Sequence, residues 1–149
     1  MMTKHLVMGF VLIVLFASNS YGEPIVFIVN KDNPIASISN SGIQKIFLKK
    51  IKRWDSGEKA VPINLYNNTL VKRDFVSSIL GMILHEYDQY WLGVKQRTGE
   101  TEPRVVKSSK FVLKIVSVNK EAIGYLPEKY FNKLGRSSRE KIKVVGIAR

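Results

Sequence analysis

The sequence contains no cysteine, and its only two histidines are His5 and His85. Without cysteine the chain forms no disulfide, so packing alone must hold its fold together. A zinc site would need several His or Cys ligands at fixed spacing, and this chain does not offer them. The same shortage removes most of the nucleophile and base combinations that enzymes use in covalent catalysis.

Sequence motifs of common enzyme classes are also missing. No Gly-x-Ser-x-Gly segment is present, and no Gly-x4-Gly-Lys-Ser/Thr segment, which argues against a hydrolase nucleophile elbow and a nucleotide P-loop. Glu86 and Asp88 are close in sequence, but side chains two apart on a helix point in different directions. His85 falls in a predicted helix, where a lone histidine is expected to be structural. We therefore predict a protein that is not an enzyme, with no metal and no cofactor.

Only one long hydrophobic run is present, from Leu6 to Ala17. It follows Lys4 and is too short for a spanning helix, which needs roughly 20 apolar residues. The small residues Ser20 and Gly22 then stand at positions −3 and −1 of a cleavage site. We predict that residues 1–22 are a cleavable signal peptide and that 23–149 form a single domain in the periplasm. The alternative interpretation is an N-terminal membrane anchor.

Negative charge is scarce. Lys and Arg number 24 against 12 Asp and Glu, a net charge of +12, or +11 once the signal peptide with Lys4 is removed. Such a balance in a cytosolic protein would suggest nucleic acid as the partner, but export argues against it. Anionic solutes, anionic lipid or cell-wall polymers become the candidate partners. The alternative is that the excess charge only keeps the surface solvated.

Alternating strand and helix patterns indicate the fold class. Ile25 to Val29 is an unbroken apolar run, typical of a strand covered on both faces. A helix from about Ser41 has capping-box spacing with Gln44. We predict an α/β fold in which a mostly parallel sheet is flanked by helices. The other predicted elements are a strand over 61–66, helices after 69, from 86 and after 108, and strands over 122–126 and 141–147.

Three predicted turns could bind an anion. They are Ser37 to Ser41, Asn67 to Thr69, and Lys107 to Ser109, and each opens a helix. The N-terminus of a helix carries unpaired N–H groups and about half a positive charge, which favours anions. Arg73 could add a bidentate contact from the second helix. In the alternative interpretation, these hydroxyl and amide side chains only cap their own helices.

Several segments form an ordered set of motifs along the chain. They are Asn33-Pro34, Ser37-x-Ser39, Ile43-Gln44-Lys45-Ile46-Phe47-Leu48, Lys52-Arg53-Trp54-Asp55-Ser56-Gly57, Val61-Pro62-Ile63, Arg73-Asp74-Phe75, Tyr90-Trp91 and Ala122-Ile123-Gly124-Tyr125. In this order they resemble the short phosphate-binding-protein-like family, which is PstS-like and belongs to the type 2 periplasmic binding proteins of ABC transporters. The resemblance covers about residues 25–126.

The resemblance implies one lobe of such a protein and a place for its ligand. Relatives contact phosphate through an Arg followed by a Gly-Ser-Gly-Thr turn that opens a helix. That place corresponds here to Tyr66–Thr69, where Thr69 matches but the glycines and the preceding Arg are missing. The Ser37–Ser39 turn matches the family's Ser-bearing turn. With Arg73 from the helix-end argument, the predicted ligand-binding residues are Ser37, Ser39, Asn67, Asn68, Thr69 and Arg73, and Ser37 or Ser39 is expected to face Thr69 across a cleft.

Two functions follow from these expectations. The first is a periplasmic solute-binding protein for phosphate or a related oxyanion, working with an ABC permease. The second is a non-catalytic interaction module that has kept the fold, lost the ligand site, and presents its basic surface to another envelope protein. The serine and threonine turns and the charge favour the first; the missing glycines favour the second.

Overall fold

A computed structural model describes residues 22–149, so the predicted signal peptide lies outside the described residues except for Gly22. Five strands and six helices make up this part of the chain. In chain order the elements are β1 (Ile25–Asn30), α1 (Asn40–Phe47), β2 (Val61–Leu65), α2 (Leu70–Ser78), α3 (Leu84–Thr98), β3 (Arg104–Val106), α4 (Ser109–Val118), β4 (Ala122–Pro127), α5 (Glu128–Asn132), α6 (Arg136–Arg139) and β5 (Ile142–Ala148).

All five strands form one sheet in the order β3-β2-β4-β1-β5. β2 is parallel to β3 and β4, whereas β1 is antiparallel to both of its neighbours, β4 and β5. Four strands therefore share one direction and β1 opposes them. The predicted α/β class is confirmed, and β1 is near-central and buried along its whole length, as its apolar run requires. What the run did not indicate is the direction of β1, because burial on both faces is the same in either orientation.

One layer of the core lies between the sheet and the helices α1 and α2, and α4 packs a second layer on the sheet through Val112 and Val116. Phe27 of β1, Phe47 of α1, Phe75 of α2 and Tyr125 of β4 pack together, with the Phe75 and Tyr125 rings stacked 4.2 Å apart. Each of these rings is no more than 1% exposed. Aromatic side chains bury large apolar areas, and such pairs add about 0.5–1.5 kcal/mol beyond the area term. The family-like aromatics Phe47 and Tyr125 therefore act first as core residues.

Gly124 marks the closest approach between β4 and α4. A Cβ atom built there would lie 2.4 Å from Cγ1 of Val112, a distance that real contacts do not reach. This glycine lies within β4. Its role is to let α4 pack directly on the sheet.

Two local features differ from the expected pattern. α1 is capped by Ser39, whose hydroxyl accepts from the Gly42 N–H, rather than by Ser41. β3 was not indicated by the sequence, because pairing with β2 rather than local pattern makes it a strand. Within residues 22–149 no helix is both long and apolar enough to cross a membrane.

Candidate functional site

The turn between β2 and α2 holds three of the predicted ligand-binding residues, Asn67, Asn68 and Thr69, and Arg73 follows within α2. Thr69 is the N-cap of α2: its hydroxyl accepts from the Lys72 N–H at 3.3 Å and donates to the Tyr66 carbonyl at 2.9 Å. Thr69 is thus engaged in its own helix. Because the first turn of a helix leaves N–H groups without intrahelical partners, those of Leu70 and Val71 remain as the donors of this helix end.

A carboxylate lies beside the same turn. The side-chain amide of Asn67 donates to both oxygens of Asp88 on α3, at 3.1 and 3.3 Å. Asn68 and Arg73 are exposed. An anion that uses the Asn67 amide must therefore displace Asp88 from it, against the repulsion of the carboxylate.

Ser37 and Ser39 lie in another part of the molecule. The Ile38 N–H donates to the Val145 carbonyl of β5 at 2.9 Å, which places both serines beside the strand at the far side of the sheet from β2 and β3. Ser37 lines a small cavity with residues of α1 and the 51–55 segment. The structure therefore does not bring these two serines to the 67–69 turn, from which β4, β1 and β5 separate them.

The predicted turn at Lys107–Ser109 does lie next to the turn at Asn67–Thr69. β2 and β3 are parallel neighbours, and the Tyr66 N–H continues their pairing by donating to the Val106 carbonyl at 3.2 Å. The chain then enters α4 through Ser108, whose hydroxyl makes no capping hydrogen bond within the described residues. The N-termini of α2 and α4 consequently open at the same edge of the sheet. Sequence reasoning named both turns, but only the unrecognised strand β3 shows that they are adjacent.

A buried polar network lies beneath this edge. The Asn64 amide donates to the Tyr87 hydroxyl at 2.9 Å, and the Tyr125 hydroxyl donates to the Asn64 carbonyl oxygen at 2.5 Å. The Tyr87 hydroxyl in turn donates to Glu102 at 3.0 Å. Burial is the main cause that raises the pKa of both tyrosines, so they remain protonated donors. The network fixes the end of β2, from which the 67–69 turn begins.

Lys72 is the most unusual member of this region, because its side chain is 0% exposed. Its ammonium donates to the Leu65 carbonyl at 3.1 Å and lies 4.5 Å from the centre of the Tyr87 ring. Burial lowers its pKa to about 8, while the charges of Glu102 and Asp88 act in the opposite direction. Sequence analysis did not select Lys72, since lysine is rarely buried and the helix pattern around it gives no signal.

The chemistry that this edge can perform is binding. It offers backbone N–H groups, hydroxyls and an internal positive charge. His85 is exposed at the start of α3. Within residues 22–149 no group of three or more His, Cys, Asp or Glu residues could hold a metal ion.

No protein-family model matches this chain, and no curated protein matches it. Solved structures do. An ABC-type phosphate transport receptor from Vibrio cholerae is 15% identical, with a TM-score of 0.61, over 83% of this chain and 45% of that one. PstS from Borrelia burgdorferi is 21% identical, with a TM-score of 0.63, over 83% of this chain and 47% of that one.

These similarities concern fold, because the identities are low. The chain spans less than half the length of the receptors that it matches. The resemblance identified from the sequence motifs is confirmed at this level: residues 22–149 have the fold of one part of a PstS-like phosphate receptor.

Proposed function

We propose that this chain is a periplasmic solute-binding protein that binds phosphate or a related oxyanion and serves an ABC uptake system. The observation that carries the proposal is the placement of the α2 and α4 N-termini at one edge of the sheet, after the parallel strands β2 and β3. Each helix N-terminus carries a partial positive charge, so two of them at one edge of the sheet favour an anion there. Solved structures with a similar fold include an ABC-type phosphate transport receptor and a putative phosphate ABC transporter substrate-binding protein with bound phosphate.

In this proposal the Leu70 and Val71 N–H groups and the Thr69 and Ser108 hydroxyls donate to the oxyanion. Each charge-assisted hydrogen bond contributes about 1.5–3 kcal/mol, and a micromolar site needs about 8 kcal/mol, so at least three must act together. Thr69 gives up its bond to the Tyr66 carbonyl when it donates to the ligand. Asn67 turns from Asp88 to the ligand, and Arg73 contributes long-range attraction.

The test is calorimetric titration of the mature chain with phosphate and with sulfate. Thr69→Ala should weaken binding roughly tenfold or more, since each 1.4 kcal/mol is about a factor of ten. Ser39→Ala is the matched control, because it removes the same kind of N-cap from α1, which begins near β5 at the other edge of the sheet. Asp88→Asn should strengthen binding several-fold by removing a repelling charge.

Two results would overturn the site. One is equal binding by Thr69→Ala and the wild type; the other is a loss confined to Ser39→Ala, which would move the ligand to the Ser37–Ser39 turn. Absence of any oxyanion binding at millimolar concentration would overturn the function itself.

The second candidate function is an interaction module that has kept the fold without its ligand. The observation that favours it is the occupied state of the turn, in which Asn67 is bound to Asp88 and Thr69 to its own helix. The chain also lacks the glycines that would let an oxyanion approach the backbone closely. Absence of oxyanion binding together with capture of a defined protein partner would decide for this alternative.

The proposed location rests on the signal peptide. Cleavage after Gly22 would release a protein that begins at Glu23. Mass spectrometry of the periplasmic fraction should find this N-terminus. Recovery of the intact N-terminus in the membrane fraction would contradict both the cleavage and the location.

A further inference from the structure

A groove of about 510 Å³ lies at the other end of β2 from the 67–69 turn. It is formed by the end of α1, the segment that follows it, and the start of β2, and we call it the basic groove. From Pro62 in the groove to Tyr66 the strand rises roughly 13 Å. Its size falls within the usual range of ligand-binding clefts, about 300–1,000 Å³. The residues that line it include Lys49, Lys52, Arg53, Lys59, Ile51 and Glu100.

The groove concentrates positive charge. Four of its lining residues are cationic, and Glu100 is its one carboxylate. The Glu100 carboxylate forms ion pairs with both Lys49, at 3.0 Å, and Lys52, at 2.7 Å, so one negative charge is divided between two cations. The Arg53 guanidinium is held against the Gly57 carbonyl at 2.7 Å. Positive charge in a concave surface focuses the field and attracts anions more strongly than the same charge on a flat face.

The backbone holds Lys49 in a conformation that is costly for its residue type. Its φ is +54°, the left-handed region that helix ends usually fill with glycine. This turn directs Lys49 toward Glu100 and places its ammonium 6.0 Å from the centre of the Trp91 ring. Strain of this kind persists where the surrounding structure determines the conformation, and it is frequent at binding sites.

The groove is also partly apolar. Ile51 stands between Lys50 and Lys52 in the sequence, yet it is 41% exposed and lines the groove. Pro62 and Val61 lie along the same groove. An adjoining cavity shares Lys49, Lys52 and Glu100 and extends the surface to Tyr90 and Trp91. A ligand that fits this surface carries apolar groups between its negative charges.

We propose that the basic groove binds an acidic peptide segment of a partner protein, in which carboxylates alternate with apolar side chains. Carboxylates would pair with Lys52, Lys59 and Arg53, and an apolar side chain would cover Ile51. A flat bilayer surface complements a concave groove less well than an extended peptide does, and a polyphosphate has no group for the apolar residues Ile51, Val61 and Pro62. The groove and the oxyanion site lie at opposite ends of β2, so neither proposal depends on the other.

The experiment uses the mature chain and a fluorescein-labelled peptide of alternating glutamate and valine, followed by fluorescence anisotropy. Replacing both Lys52 and Lys59 by alanine should weaken binding about tenfold, which corresponds to about 1.4 kcal/mol. The control removes the same charge elsewhere, by replacing the exposed Lys114 and Lys129 with alanine. It should change the affinity less than about twofold at physiological salt, where charges more than about 8 Å apart are largely screened.

A second variant tests the apolar part of the groove. Ile51→Ser should weaken binding of the glutamate–valine peptide but leave binding of a glutamate–glycine peptide unchanged. Lys52, Lys59 and Ile51 are partly or fully exposed, and thermal unfolding will verify that the variants fold.

Three results would overturn the proposal. The first is an equal loss of affinity in the groove and control variants, which would mean attraction by net charge alone. The second is insensitivity to Ile51→Ser. The third is groove-dependent binding of anionic lipid vesicles or of polyphosphate without binding of the peptide. Phosphate titration of the same variants should be unchanged, which separates failure of this proposal from failure of the oxyanion site.

Discussion

Two lysines lie against aromatic rings of α3 and differ in almost everything else. Lys72 lies 4.5 Å from the Tyr87 ring centre and is 0% exposed, with the Leu65 carbonyl as its hydrogen-bond partner. Lys49 lies 6.0 Å from the Trp91 ring centre, is partly exposed, and is paired directly with Glu100. The comparison shows how one residue type serves two purposes. Lys72 is part of the core beneath the oxyanion edge, whereas Lys49 belongs to a surface that is open to a partner.

The physical difference is the balance between desolvation and pairing. A buried ammonium loses its hydration, and when no carboxylate touches it the charged form is disfavoured. This is the cause that lowers the pKa of Lys72 to about 8. At the groove, hydrogen bonds from Lys52 and Lys49 instead lower the pKa of Glu100 to about 2. Substitutions in the two regions should therefore change the free energy of unfolding by very different amounts.

The largest expected effect is that of Lys72→Ala. It leaves a cavity in the core and removes the donor to the Leu65 carbonyl, so the free energy of unfolding should fall by about 2–5 kcal/mol. Lys72→Met fills most of the space without a buried charge and should cost much less. Urea unfolding measures both. Lys49→Ala is the comparison from the groove; a loss as large as that of Lys72→Ala would break the distinction between the two lysines.

The next largest effect is the pH dependence that Lys72 gives to the free energy of unfolding. Folded Lys72 loses its proton near pH 8, whereas the unfolded chain keeps it to about pH 10.5. The unfolded state then binds more protons, so the free energy of unfolding should rise with pH, by roughly 2 kcal/mol between pH 8 and 10. Above pH 10 the buried tyrosines reverse the trend, because the unfolded state loses phenolic protons that the fold retains.

Lys72→Met is the control for this pH dependence, since it removes the titration of Lys72 and keeps all the other titrating residues of the chain. The rise between pH 8 and 10 should be present in the wild type and absent in the variant. Urea unfolding at several pH values makes the measurement. Parallel profiles in the two proteins would show that Lys72 is not the group responsible.

A smaller effect is expected from Tyr125→Phe. The ring keeps its stacking on Phe75, but Asn64 loses the hydroxyl that donates to its side-chain oxygen. Asn64 still accepts from the Leu65 N–H at 2.9 Å, so the loss should be about 1 kcal/mol. Urea unfolding checks it. A neutral result would mean that this buried network does not stabilise the end of β2.

The fold was predictable to the extent that it follows from local pattern. The Ile25–Val29 run indicated a fully buried strand, and the Asn67–Thr69 turn indicated the start of α2. The cap of α1 was misplaced by two residues, because Ser39 and Ser41 are both good N-cap residues and only the structure chooses Ser39. The order and direction of strands depend on pairing between distant segments, and no short window contains that information.

The candidate site was predictable only in part, for the same reason. Motif order placed an oxyanion contact at Thr69, and that assignment stays a prediction. The adjacency of the α2 and α4 N-termini depends on the pairing of β2 with β3. The position of Ser37 and Ser39 depends on a bond to β5, which lies at the opposite end of the sequence. Burial of Lys72 runs against the usual behaviour of lysine, so composition alone argued for placing it in the solvated surface.

The smallest expected effect is that of Glu100→Gln in the basic groove. Its partners are partly or largely exposed, so solvent and salt screen the attraction, and exposed ion pairs contribute little to stability. The thermal unfolding midpoint should fall by less than it does in Tyr125→Phe, and high salt should remove the difference between the wild type and Glu100→Gln.

The contribution of Glu100 to stability also depends on pH with a definite sign. A carboxylate whose pKa is lowered in the fold contributes above its unfolded pKa of 4.5, and the contribution disappears as pH falls to about 2. The wild type and Glu100→Gln should therefore differ near neutral pH and converge at about pH 2. A midpoint shift larger than that of Tyr125→Phe would place Glu100 among the residues that hold the fold, and the groove could then no longer be treated as a surface separate from the core.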